Sequence, residues 1–232
     1  MIFPAFNGFG QVQINSVLAE GRWFKLAVTE DGIYRLDAAF LSNIGLNINS
    51  IDPRKIKIYG NGGKMLPQPN SQARPVDLNE TSIWVAGEED GRFDTNDYIL
   101  FYAQGPDSFT FDELTRTISY TNHTYSDTTF YFLTVDGNNG KRIETAEDPG
   151  IDYPTVDYFV DYQVHENDGV NLLNPGSGRE WYEAIFAITK TKDFKFSFPG
   201  LKPDMPVHVT SHVLARSQNT STVDLDLKEL MI

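Results

Sequence analysis

The sequence predicts a mainly β protein of two β-sandwich-like domains, the first with one short helix, and three observations carry that expectation. Apolar residues recur at every second position in run after run, the pattern of strands with one face in a core. Glycine, aspartate, asparagine and proline break those runs about every ten positions, a spacing that favours packed sheets over alternating strands and helices. Hydrophobic residues make up 40% of the 232 and aromatics 13%, enough to fill a core and too many for a disordered chain.

The first two strands are expected in Trp23-Phe24-Lys25-Leu26-Ala27-Val28 and in Ile33-Tyr34-Arg35-Leu36. Asp31-Gly32 between them is a dipeptide that a type I′ turn selects, so the two runs read as a hairpin. Asp37 then stands where it can cap a short helix, with Phe40, Leu41 and Ile44 on its apolar face and Gly45 as a left-handed stop. A strand at 56–59 runs into Gly60-Asn61-Gly62-Gly63. A phosphate-binding loop would need Lys64 to be followed by a hydroxyl residue and a helix, whereas Met65, Leu66 and Pro67 follow it. The glycines are therefore expected to make a turn through positive φ. Strands at 82–86 and 98–103 flank an acidic segment at 88–97, and a strand at 129–135 precedes Asp136-Gly137-Asn138-Asn139-Gly140 and then Arg142-Ile143-Glu144.

Residues 146–154 hold three acids and two prolines, and the boundary is placed there, giving an N-terminal β-rich domain at 1–150 and a second sandwich domain at 151–232. Strands of the second domain are expected at 158–164, 181–188, 194–198, 207–213 and 223–227. A sandwich of so few strands buries little surface, so this domain is expected to be incomplete.

The formal net charge is −13, from 32 acids against 19 bases. Such a surface repels a phosphate backbone, which excludes nucleic acid as a partner. No run approaches the roughly 18 apolar residues of a membrane helix, so direct membrane insertion is not expected. Residues 1–10 lack the basic and then apolar pattern of a signal peptide. With no cysteine in the chain, disulfides, zinc-thiolate sites and a cysteine nucleophile are all excluded within these residues.

Candidate chemistry is sparse. The histidines at 123, 165, 208 and 212 are scattered; only His208 and His212 share a strand face, and no third metal ligand lies beside them. Asp90, Asp94 and Asp97 are candidate calcium ligands, since several carboxylates in one turn suit a hard cation. Asp90-Gly91 and Asp94 are also what a tight turn and a short helical cap select unaided, and no other cofactor is expected. Asn79, Asn122 and Asn219 begin glycosylation sequons, a match that chance produces at this composition. Trp23, Trp84 and Trp181 would form a platform if the chain were an adhesin or carbohydrate-binding module, although core packing is the expected duty of all three. A glycosidase would show paired carboxylates, one with a raised pKa in a deep pocket.

Several segments in order carry a resemblance: Val28-Thr29-Glu30-Asp31-Gly32-Ile33-Tyr34-Arg35-Leu36, Ile56-Lys57-Ile58-Tyr59-Gly60-Asn61-Gly62-Gly63, Asp90-Gly91-Arg92-Phe93-Asp94, and Asp97-Tyr98-Ile99-Leu100-Phe101-Tyr102-Ala103-Gln104-Gly105-Pro106. Tyr125-Ser126-Asp127, Tyr131-Phe132-Leu133-Thr134, Asn171-Leu172-Leu173 and Ser177-Gly178-Arg179-Glu180-Trp181-Tyr182-Glu183 continue it. Together they resemble the amino-terminal region of the type IX secretion sortases, gingipain-type cysteine peptidases of the Bacteroidetes-type pathway. The resemblance implies an exported protein displayed at the outer membrane or cell surface, with its own downstream peptidase domain and outer-membrane secretion components as partners. In that family a Cys-His pair on a caspase-like domain removes the sorting domain of cargo. None of that machinery maps onto this chain, so these residues are expected to be a non-catalytic, prodomain-like or scaffolding region.

Overall fold

The structure is a computed structural model that describes residues 15–115, 117–148, 150, 154–169, 178, 180–183, 185–186, 189–216 and 218–226. The chain divides into two compact units, Met1–Ile151 and Asp152–Ile232. In the first, the described strands are β1 (Phe24–Val28), β2 (Gly32–Asp37), β3 (Lys57–Tyr59), β4 (Glu80–Thr81), β5 (Trp84–Ala86), β6 (Tyr98–Ala103), β7 (Ser108–Asp112), β8 (Thr117–Thr121) and β9 (Thr129–Thr134). One α-helix, α1 (Ala38–Asn43), follows β2 directly.

Two antiparallel sheets share one core, a mainly β sandwich as the sequence predicts. One has the order β1-β9-β3-β4, the other β2-β6-β5. Alternation decides which side chains turn inward. β1 buries Phe24, Leu26 and Val28, β6 buries Ile99, Phe101 and Ala103, and β9 buries Tyr131 and Leu133. Phe101 meets Tyr131 edge to face at 5.6 Å, and the Gln104 amide donates to the Tyr131 hydroxyl at 2.8 Å, so this buried phenol keeps a hydrogen-bond partner.

The hairpin expected around Asp31-Gly32 does not form. β1 pairs with β9, from Phe24 opposite Leu133 to Val28 opposite Thr129, while β2 pairs with β6 in the other sheet. The chain crosses between sheets at 29–31, because both runs have inward-facing apolar residues and the two sets oppose one another across the core. Asp31 serves as a staple rather than a turn residue: its carboxylate accepts the Gly105 amide at 2.7 Å.

The helix matches the sequence signals closely. Asp37 caps it by accepting the Phe40 amide at 2.9 Å, the usual N-cap bond. At the other end the Gly45 amide bonds Ser42 O and the Leu46 amide bonds Leu41 O, the paired bonds of a Schellman stop, with Gly45 at φ 89°. Leu41 is fully buried, whereas Phe40, expected on the same inner face, is 38% exposed.

Of the glycines after β3, only Gly62 has the positive φ expected of the cluster. Gly60 and Gly63 serve close approach instead. A Cβ at Gly60 would lie inside the Tyr131 ring, and one at Gly63 would lie inside the Gly105 carbonyl and Thr129 Oγ1.

Thr129 is buried, and its hydroxyl is the buried side-chain polar atom without a hydrogen-bond partner among the described residues. Burying an unsatisfied hydroxyl is costly. Thr129→Val, which keeps the β-branch on the strand, is therefore expected to stabilise the unit by about 1 kcal/mol, read as a higher urea midpoint with an unchanged slope.

The stretch after β9 is held by backbone bonds at Gly140, Lys141 and Ile143, by Glu80, which accepts the Lys141 amide at 2.6 Å, and above all by Arg142. Ile83 and Arg142 form an isolated parallel bridge. The Arg142 guanidinium then donates to the carbonyls of Pro53, Arg54 and Ile56 at 2.9, 2.9 and 3.2 Å and pairs with the Glu88 carboxylate at 2.8 Å. At the opposite end, Asp77 latches the Val17–Ala19 turn, accepting from the Val17 and Leu78 amides at 2.6 and 2.8 Å and from the Ser16 hydroxyl at 2.8 Å. Those bonds, the Val17 amide first, hold the Asp77 carboxyl below its ordinary value of 3.8. A depressed folded-state pKa contributes stability that is complete above the unfolded value and lost as pH falls through the folded one. Acidification below pH 3.8 is thus expected to release this turn, read as loss of protection at the Val17 amide in hydrogen exchange, with Asp77→Asn exchanging already at neutral pH.

β7 and β8 form a separate two-stranded sheet. Phe109 opposite Tyr120 and Phe111 opposite Ile118 line one face, and serine and threonine dominate the other. Phe111 is 56% exposed and Leu114 at the tip 93%.

In the second unit, the described residues form no helix and no strand beyond an isolated bridge. The strands expected at 158–164, 181–188, 194–198, 207–213 and 223–227 carry no ladder there, with Ala184, Ala187, Ile188 and Leu227 outside the described residues. Period-two patterning gives a strand only where a neighbouring backbone completes the ladder, and Phe194 and Phe196, at 44% and 47% exposed, have not found one. Side chains do the joining instead. Gln163 exchanges hydrogen bonds with the Ser197 backbone, and Glu183 sits between His165, at 2.9 Å, and Lys192. The resembling segment at 171–173, with Ser177 and Arg179, lies outside the described residues, as do residues 1–10.

Candidate functional site

The acidic segment folds around an anchor. Phe93 enters the core at 3% exposure, and the carboxylates on either side of it organise the turns that allow this. Gly87 and Gly91, at φ 84° and 76°, bracket a single 3-10 turn at Glu88–Asp90. Asp90 accepts the Arg92 amide at 2.9 Å. Asp97 accepts the Asp94 amide at 2.7 Å, and the Asp97 amide returns to Asp94 O at 3.1 Å. The structure thus joins Asp94 to Asp97 and turns Asp90 toward Arg92. Among the described residues, no three His, Cys, Asp or Glu side chains gather in a way that could hold a metal ion. Turn bonds engage the carboxylates of Asp90 and Asp97, while Asp94 takes part through its backbone; if turn formation is their whole duty, the melting temperature is unchanged when calcium is restored after chelation. A rise that grows with calcium concentration would assign them as ligands instead.

The tryptophans do not share one duty. Trp23 stacks edge-on against Tyr59 at 5.3 Å and donates its indole N–H to Glu20 O at 2.7 Å. Trp181 is 45% exposed in the second unit. Trp84, expected in the core, instead points outward from β5 at 42% exposure, while Val85 next to it takes the inward place.

Around Trp84 the outer face of β2-β6-β5 is assembled by register. Residues paired across antiparallel strands share a face, and Arg35, Leu100 and Trp84 are opposite one another on the three strands. Ile33 with Tyr102 forms the next row, and Asp37, Tyr98 and Ala86 the row on the other side. The Trp84 and Tyr98 rings lie 5.5 Å apart, and the Arg35 guanidinium stacks over Tyr98 at 4.2 Å. No sequence signal marked this face as outward, since Trp84 and Leu100 are as apolar as their buried neighbours.

Two clefts of about 280 Å³ each open on the first unit. Arg35, Asp37, Ser42 and Thr95 line one, and Lys64, Leu66, Thr121 and His123 the other. Among the described residues, the shifted carboxyls, Asp52, Asp77, Asp112 and Glu183, are all lowered: Asp52 chiefly by its Arg54 partner, Asp77 and Asp112 by backbone amides, Glu183 by Lys192. A glycosidase acid would be shifted the other way. His208 and His212 are both exposed.

The described first unit is therefore a β-sandwich whose β2-β6-β5 sheet turns an aromatic face outward. Among solved structures, the chain is similar to part of dimeric latent PorU from Porphyromonas gingivalis, at 29% identity and a TM-score of 0.40, over 54% of this chain and 10% of that one. The matched region thus spans about a tenth of the PorU chain. No family model matches the chain, and no curated protein matches it.

Proposed function

We propose that these residues are the non-catalytic leading region of a larger exported cysteine endopeptidase, a gingipain-type sortase of type IX secretion. The region acts as a prodomain-like scaffold that positions and shields the peptidase domain following it, at the outer membrane or cell surface. One observation carries this: the longest resembling segments of the first unit fall on the parts that make the sandwich. The run 28–36 crosses between the sheets and forms β2, 56–63 forms β3 and its close-approach glycines, 90–94 carries the Phe93 anchor, and 97–106 forms β6. A likeness seated on framework positions concerns architecture, and function then lies in what the framework holds.

The test has two arms. Reading the gene beyond Ile232 is expected to show a histidine and a cysteine in a caspase-like setting, and a frame that closes at Ile232 overturns the proposal. The 232-residue chain is expected to be inert toward casein, while the full-length protein has thiol-dependent activity. Peptidase activity in the short chain, lost on substituting one of its own residues, would overturn it equally.

A further inference from the structure

We infer that the outward face of β2-β6-β5 is a protein-docking surface, and that its partner presents a carboxylate among apolar side chains. Three features of the face lead there, none of which depends on a peptidase domain following the chain.

The first is composition. Arg35, Trp84 and Tyr98 belong to the residue types that dominate binding hot spots, here beside Leu100 and Ile33, the latter 74% exposed. With strands about 4.8 Å apart and about 3.4 Å per residue along them, the patch from β2 to β5 and from Tyr98 to Tyr102 measures roughly 10 by 14 Å. That is the size of an interface centre, smaller than the whole contact of about 800 Å² per partner.

The second is Arg35. In a chain with 32 acids against 19 bases, its guanidinium has no ion pair or hydrogen bond among the described residues and only the Tyr98 ring beneath it. Asp37, two positions along the same face, turns its Oδ1 to the Phe40 amide and makes no ion pair with Arg35. Stacking holds the planar fork in place with its donors outward, so little freedom remains to be lost when a carboxylate arrives.

The third is electrostatic consistency. An apolar partner covering this face would bury Arg35 without a counter-charge, which is strongly unfavourable. A partner carboxylate opposite Arg35 removes that cost and fixes the register of docking. A neutral saccharide suits the face less well: rings that stack on sugars come with hydrogen-bonding side chains, whereas the middle of this patch is Leu100.

The experiment uses the 232-residue chain and two peptides, acetyl-Leu-Glu-Phe-Glu-Leu-amide and its counterpart with glutamine in place of glutamate. Binding is followed by the NMR shifts of the Trp84 indole N–H and the Arg35 Nε–H. The glutamate peptide is expected to move both signals and to bind roughly fivefold tighter than the glutamine peptide at low salt. R35Q should abolish that preference, and W84S should weaken both peptides, each with an unchanged melting temperature. Equal binding of the two peptides, shifts confined to other residues, or no binding at millimolar peptide overturns the inference. So does glycan-array binding lost in W84S and retained in R35Q. A frame that closes at Ile232 would remove the proposed peptidase and leave these outcomes unchanged.

Discussion

Replacing Gly63 with alanine is expected to destabilise the first unit by about 4 kcal/mol, at the upper end of what overpacking does. The cost arises from backbone. The added methyl would overlap the Gly105 carbonyl, and Gly105 is itself pressed against the Thr29 carbonyl at 2.8 Å from where its own Cβ would stand. A side chain can rotate away from an intruding methyl, but two stacked main-chain segments can part only by moving β3 or β6, and both strands are tied into sheets. A urea titration should show the midpoint falling while the slope stays constant. Gly62→Ala is the internal control. Its added methyl meets the flexible end of Gln104, so only the positive φ is penalised, at about 1 kcal/mol. A Gly63→Ala loss no larger than that of Gly62→Ala would show that the two loops are free to separate.

Arg142→Met should have the next largest effect, a loss of about 3 kcal/mol and a melting temperature lower by roughly 10 °C. The substitution keeps most of the aliphatic stem and removes only the guanidinium. Three carbonyls, those of Pro53, Arg54 and Ile56, then lose the guanidinium, the first two keeping the Ile56 and Gly140 amides, and Glu88 loses its counter-ion. The Arg142 and Glu88 side chains are 22% and 24% exposed, so water replaces part of what is lost and keeps the figure below that of a fully buried pair. Arg142→Lys is expected to recover less than half of the difference, because a single ammonium cannot span carbonyls on one side and a carboxylate on the other. Full recovery with lysine would mean that charge alone, and not the fork, holds this segment in place.

What the sequence made legible follows from how local each signal is. Asp37 and Gly45 act within a few residues of themselves, and the helix between them lies where their caps require. β6 and β9 were readable because alternation is written along a single run. The failure at Asp31-Gly32 has the opposite character. Whether β1 and β2 pair depends on β9, roughly 105 residues from β1, and on β6, roughly 66 residues from β2, and no dipeptide contains that information. Asp90, Asp94 and Asp97 were singled out for their charge, while the residue that fixes their loop is Phe93, whose burial cannot be seen from its neighbours. Trp84 was misplaced for a related reason. Alternation says that neighbours point opposite ways without saying which way is inward, and in β5 it is Val85 that takes the core.

The pairing of β1 with β9 also sets a schedule. Phe24 lies opposite Leu133, so β1 waits for its β9 neighbour until more than a hundred further residues have been made, which takes roughly 5 to 20 s at ordinary rates of synthesis. Throughout that interval Phe24, Leu26 and Val28 are exposed, and the nucleus must form across a large loop, a topology that folds slowly. A chain of this kind stays soft for a long time after it starts to emerge, and chaperones or a translocation channel have that window in which to take hold of it.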